Sequence, residues 1–260
     1  MTSFDRVAHC YDETRAIPPE VSAEVAASIA AQLPRDGRPP ALLEVGIGTG
    51  RIAVPLVDAG VDVVGIDIAP AMLARLRSRR PEIRVLRASA DRLPFAADAF
   101  DAVLFVHVLH LLADAGAALR MARSVTRSGG VLIYGREEFP DAPLDAVARK
   151  MREIAVELAG IDDDPRGPRE RASSAFAAAA EDARVATSEV VVARWPVRMT
   201  GRALLDSVAG KVWSSTWIIP DAVMPELLRR LTPWVADLVG DLDRPLVHDR
   251  VFLLTIAPCS

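Results

Sequence analysis

The chain has 260 residues and a formal net charge of −4, and 51% of its residues are apolar. That is enough for one α/β domain with an elaboration, or for a core domain with a small lid. With no run of like charge, it argues against a nucleic-acid binder working through a broad basic face. Cys10 and Cys259, near opposite ends, make neither a disulfide framework nor a zinc site. The opening "MTSFDRVAHCYDETR" is polar and does not read as a signal peptide. The longest apolar stretch is interrupted by Asp101, His107, His110 and Asp114, so no membrane span is expected. The default expectation is a cytoplasmic protein, monomer or homodimer.

Residues 20–33 read as a helix stopped by Pro34, and 41–45 as a strand. A helix follows Gly50 and ends near Gly60, and 61–67 is a second strand. Residues 70–80 predict a helix with Pro70 in its first turn, where proline is favoured. Residues 83–88 and 100–108 are strands, 114–127 a helix, and 130–135 a fifth strand. Near-continuous apolar strands alternating with helices predict a doubly wound α/β fold, its mainly parallel sheet covered on both faces. After 136 the pattern breaks. Helices are expected at 141–159 and 168–183 around the polar loop "GIDDDPRGP", then a strand at 188–200. Helices at 201–211 and 221–239 and a strand at 248–257 bring the sheet to seven strands. The expected division is a core at 1–138 with an N-terminal helical cap, a helical insertion or acceptor lid at 139–187, and sheet-completing elements at 188–260.

The strand at 41–45 runs into "EVGIGTGR". Glycines at a strand-to-helix turn let a ligand approach the backbone closely. A P-loop would need Gly-Lys-Ser/Thr, and here Arg51-Ile52 follows Gly50. A dinucleotide turn needs a small residue where Arg51 stands, so that helix can pack on strand. An acidic residue followed by G-x-G-x-G resembles the first motif of the class I S-adenosylmethionine-dependent methyltransferases, with Glu44, Gly46, Gly48 and Gly50 in the motif's places. Asp67 ends the second strand 19 residues after Gly48, where a carboxylate can accept from a ribose diol; it could equally begin the next helix. The segment "ASADRLPFAADAFDAV" resembles the same family's link between its third and fourth strands. The resemblance covers about 41–135. It implies a Rossmann-like fold, S-adenosylmethionine as cofactor and S-adenosylhomocysteine as product. It places the adenine near Ala90, Asp91 and Arg92, with Ile68, Met72 and Val106 about the same site. By the same resemblance Tyr11 closes over the methionine part and Arg15 reaches its carboxylate.

His107 and His110 follow the fourth strand, at the sheet edge where open α/β sheets bind ligands. Each is a candidate general base, beside the alternative that it is structural; His107 is also a candidate cofactor neighbour. The residues after that strand, "VHVL", lack the Asp/Asn-Pro-Pro-aromatic run of adenine methyltransferases acting on DNA. No metal cluster is read; the acidic run 162–164 is expected to be a solvated loop. Trp213 and Trp217 could line an apolar acceptor pocket, but core positions are favoured. The expected activity is methyl transfer to a small-molecule acceptor by in-line displacement, with neither nucleic acid nor membrane as partner. A cofactor-binding protein without methyl transfer, and a nicotinamide-dependent oxidoreductase, stand as alternatives.

Overall fold

The computed structural model describes residues 17–34, 36–140, 143–161 and 167–259. Its helices are α1 (Pro19–Ala31), α2 (Ala53–Asp58), α3 (Pro70–Arg79), α4 (Ala115–Val125), α5 (Pro143–Ala159), α6 (Pro168–Asp182), α7 (Gly201–Ala209) and α8 (Met224–Val239). Its strands are β1 (Ala41–Val45), β2 (Asp62–Asp67), β3 (Arg84–Arg87), β4 (Phe100–Val106), β5 (Thr126–Glu138), β6 (Ser188–Met199) and β7 (Leu246–Pro258). They form one seven-stranded sheet in the order β3-β2-β1-β4-β5-β7-β6. Pairings from β3 through β5 are parallel. The Gly129 N–H donates to the Cys259 carbonyl at 2.7 Å and the Cys259 N–H to the Gly130 carbonyl at 2.8 Å. The start of β5 therefore meets the end of β7, which makes that pair antiparallel.

β1 and β4 are buried throughout except at Ala41, as strands covered on both faces must be. The strand order reverses between β1, which leads to β2, and its other neighbour β4. That reversal opens a crevice beyond the carboxyl ends of the two strands, the place where open α/β sheets take their ligands.

The chain divides into two compact units. Of the described residues, the first contains those within 17–137, 168–193 and 252–259. Its apolar core joins Leu43, Val103 and Phe105 of the sheet to Leu119 of α4 and Phe176 of α6, whose ring stacks on Tyr134 at 5.8 Å between centroids. Asp114 caps α4 by accepting from the Ala117 N–H at 2.8 Å. The second unit, 138–167 and 194–251, packs α5, α7 and α8 around Val147, Met151, Leu204, Val208, Leu227 and Leu231. The segment 139–187, which reads as one helical insertion in the sequence, is thus shared between the units: α5 belongs to the second and α6 to the first. Trp213 packs against the second core, and Trp217 donates its indole N–H to the Lys211 carbonyl at 2.7 Å. Among the described residues no helix is long and apolar enough to cross a membrane.

Candidate functional site

The glycine turn is locked by its own backbone. Gly46 and Ile47 both donate to the Ile66 carbonyl, at 2.8 and 3.0 Å, and Gly50 donates to Ile47 at 2.9 Å. The Gly48 N–H goes to the Asp67 carboxylate at 2.9 Å. With these four amides already donated inward, the turn is poorly suited to a pyrophosphate, which needs outward-facing N–H groups. The glycines also differ in purpose. A Cβ on Gly46 would meet Val108 at 2.6 Å, and one on Gly50 would meet Leu76 at 2.5 Å, so these two let the turn pack against its neighbours. Gly48 has φ +56° and nothing near its would-be Cβ but the Gly46 carbonyl at 4.0 Å. Its missing side chain leaves space toward solvent, where a ligand can lie against the backbone.

That space is a cleft of about 660 Å³ counted to its open mouth, lined by residues of β1, β2, β4 and the loops after them. Of the sequence-predicted residues, Gly46, Gly48, Asp67, Ile68, Met72, Ala90, Val106 and His107 line it. Gly50 and Glu44 lie behind the turn, and the exposed Asp91 and Arg92 stand outside the lining. His110 sits on the 3-10 turn Leu109–Leu111, away from the lining. Tyr11, Arg15 and the run 162–164 lie outside the described residues. The sequence reading missed Val108, Leu111 and Leu112, which form an apolar wall. Their only signal was an apolar run directly after a strand.

Asp67 is both a turn residue and a cleft residue. One carboxylate oxygen accepts from Gly48, and the other accepts from the Ala69 N–H at 2.9 Å just before α3. Each oxygen has a second lone pair, so a pinned carboxylate can still accept from a diol.

Beneath the turn is a group of buried charges. Glu44 is 3% exposed and its Oε2 is enclosed without a hydrogen-bond partner. Desolvation pushes its carboxyl up to about 8, against the pull of the nearby Arg51 and with the push of Asp67. Glu137, on β5, is 5% exposed. Its Oε1 lies 3.1 Å from Arg51 Nη1 and 3.0 Å from His107 Nε2. The His107 ring meets Phe252 edge to face at 6.2 Å. His107 has φ +53°, a left-handed conformation that costs a non-glycine residue about 1 kcal/mol. Strain of this kind concentrates at functional sites. Neither Arg51 nor Glu137 stood out in the sequence as a site residue.

Residues 43–134 match the family described as a methyltransferase domain. A demethylmenaquinone methyltransferase of Mycolicibacterium paratuberculosis is 32% identical over 176 residues, covering 66% of this chain and 67% of that protein. Another, from Beutenbergia cavernae, is 38% identical over 107 residues, covering 41% of this chain but only 45% of its own length. The solved YcgJ protein of Bacillus subtilis shares the fold, with a TM-score of 0.57 at 18% identity, over 90% of this chain and 97% of that one. The chain belongs to the class I S-adenosylmethionine-dependent methyltransferase family. Among the described residues, no group of His, Cys, Asp and Glu could hold a metal ion.

Proposed function

We propose that this chain transfers a methyl group from S-adenosylmethionine to a small-molecule acceptor in the cleft beyond β1 and β4. The cleft walled by Asp67, the open Gly48 and apolar side chains carries this reading. Its residues fit the cofactor. Asp67 takes the ribose hydroxyls, and Ile68, Met72 and Ala90 flank the adenine. The chain lies bare at Gly48 for the methionine part. Glu44, behind the turn with a buried oxygen that has no hydrogen-bond partner, orients the loop against which the methionine part lies. When bound, the cofactor supplies a methyl group already activated on a positively charged sulfur. The protein's work is therefore to bind, orient and exclude water, and backbone-locked elements do that with little reorganisation. The names of the relatives, which act on a menaquinone precursor, support a small organic acceptor. The acidic net charge is in keeping with that and not with an RNA substrate.

Calorimetric titration with S-adenosylhomocysteine tests the reading. The wild type should bind in the micromolar range, and NADH should not bind. Asp67→Ala should weaken binding by about 10- to 100-fold, since hydrogen bonds to a charged acceptor are worth about 1.5–3 kcal/mol. Unchanged affinity in a folded Asp67→Ala protein would remove the ribose assignment.

A further inference from the structure

We infer that Glu137, backed by Arg51, is a positioning residue that holds His107 as the proton acceptor of the cleft. This rests on the methyltransferase reading above, and it assigns the cleft a second task beyond binding the cofactor.

Three elements converge to make the arrangement. Arg51 comes from the turn after β1, His107 from the end of β4 and Glu137 from the end of β5. Arg51 and His107 meet the same oxygen, Glu137 Oε1, at 3.1 and 3.0 Å. An arginine in contact favours the ionised form of that carboxyl, because its own charge persists at any working pH. An ionised oxygen 3.0 Å from a ring nitrogen needs a proton on that nitrogen. Nε2 therefore carries the hydrogen, and Nδ1 becomes the basic nitrogen of the neutral ring. Phe252 lies against the ring, and the left-handed backbone at His107 fixes where the ring leaves the strand.

The surrounding charges agree. Arg51 lies beside Glu137 at 3.1 Å and near Glu44 on β1, which in turn feels Asp67 at the end of β2. Glu44, the other carboxyl beside Arg51, is pushed up to about 8 and holds its proton near neutral pH.

The chemistry this suits is an acceptor that must lose a proton as it gains a methyl. A carboxylic acid arrives already ionised at neutral pH and needs no base. A phenol-type hydroxyl, with a proton held to about pH 10, does need one. In that reaction the hydroxyl oxygen's electron pair forms the bond to the methyl carbon. The sulfur–methyl bond breaks with its pair returning to sulfur, which leaves as a neutral thioether. The hydroxyl proton passes to His107, and solvent removes it after release. His107 is the catalytic residue in this scheme, since it lines the cleft; Glu137 and Arg51 act through it.

The test is nitrogen-15 spectroscopy of the full chain, histidine-labelled and saturated with S-adenosylhomocysteine, with the His107 signals assigned by their loss in His107→Gln. At about pH 8 the wild-type ring should carry its proton on Nε2. In Glu137→Gln the ring should become a mixture of tautomers, and the midpoint of its titration should move to lower pH. In Arg51→Gln the midpoint should move the opposite way, because a positive charge 3.1 Å from the shared oxygen is gone. Glu137→Asp should restore the Nε2 proton at least in part, which a loss of folding would not. A wild-type ring protonated on Nδ1, or one whose titration ignores both substitutions, overturns the inference. Failure of wild-type protein to take up S-adenosylhomocysteine is a separate result, and it would overturn the cofactor reading instead.

Discussion

Strand β4 carries buried charge at both of its ends, and the two ends are built differently. At the amino end, Asp101 has a side chain 1% exposed. It accepts two parallel bonds from Arg38, both at 2.9 Å, and one from the Ala41 N–H at 2.7 Å. It is also paired with Arg127 at 2.7 Å. One carboxylate has two arginines and a backbone amide, so its charge is compensated and its lone pairs are used. Beside the carboxyl end, two buried acids, Glu44 of β1 and Glu137 of β5, both lie near Arg51, and Glu44 keeps an unpartnered oxygen. The strand leaves that end through a strained His107. A completed polar network stabilises and specifies a fold, whereas an incomplete one next to a cleft is kept for a ligand. On the function proposed above, the two ends of a single strand separate a structural site from a working one.

The sharpest way to break the comparison is to strip the amino end. Replacing Arg38 and Arg127 together by Met leaves Asp101 buried without a counter-ion. Losing the partners of a buried charge costs about 3–5 kcal/mol, so the midpoint of urea unfolding should fall steeply. The molecules that remain folded should bind S-adenosylhomocysteine as the wild type does. A large loss of affinity with little loss of stability would mean that the roles assigned to the two ends are reversed.

The next effect comes from the carboxyl end and depends on pH. The Glu44 carboxyl, ordinarily at 4.5, lies at about 8 in the folded chain. The native state therefore holds this proton more tightly than the unfolded state does. The stabilisation is fully present below the unfolded value and is lost as pH rises through the folded one. Glu44→Gln abolishes that dependence. Between these two values its stability should fall less with pH than the wild type's, so the gap between the two proteins should widen steadily toward the alkaline end. Urea titrations across the window measure this. Parallel curves for the two proteins would show that Glu44 ionises normally.

Most of the fold could be read from the sequence because its determinants are local. Apolar runs, glycine stops and Pro70 at a helix start place the elements within a few residues of where they stand. The glycine-turn side of the cleft was equally legible, since the turn and Asp67 are made of residues close in sequence or at the ends of adjacent strands. Glu137 and Arg51 were not. Their pairing with His107 depends on the order in which β1, β4 and β5 lie side by side, over sequence separations no periodicity records. Arg51 registered only as a bulky residue where a dinucleotide turn wants a small one. Its partner explains its presence. The same holds at the other end, where Asp101 appeared merely as a charge interrupting an apolar stretch.

The smallest expected effect is the most discriminating, because it keeps every charge. Arg38 is 40% exposed at its side chain and makes a two-bond fork to Asp101. Lysine preserves the charge and loses the fork. With Arg127 still in place and solvent able to reach the ammonium, Arg38→Lys should cost no more than about 1 kcal/mol. Arg51→Lys is the matching change at the carboxyl end, where the side chain is 17% exposed and Glu137 is shared with a histidine. A compact ammonium there should redistribute the bonds on Oε1 and move the His107 nitrogen signals, with little change in unfolding. If Arg38→Lys moved those signals as far as Arg51→Lys does, the two ends of β4 would be one coupled network and not two separate sites.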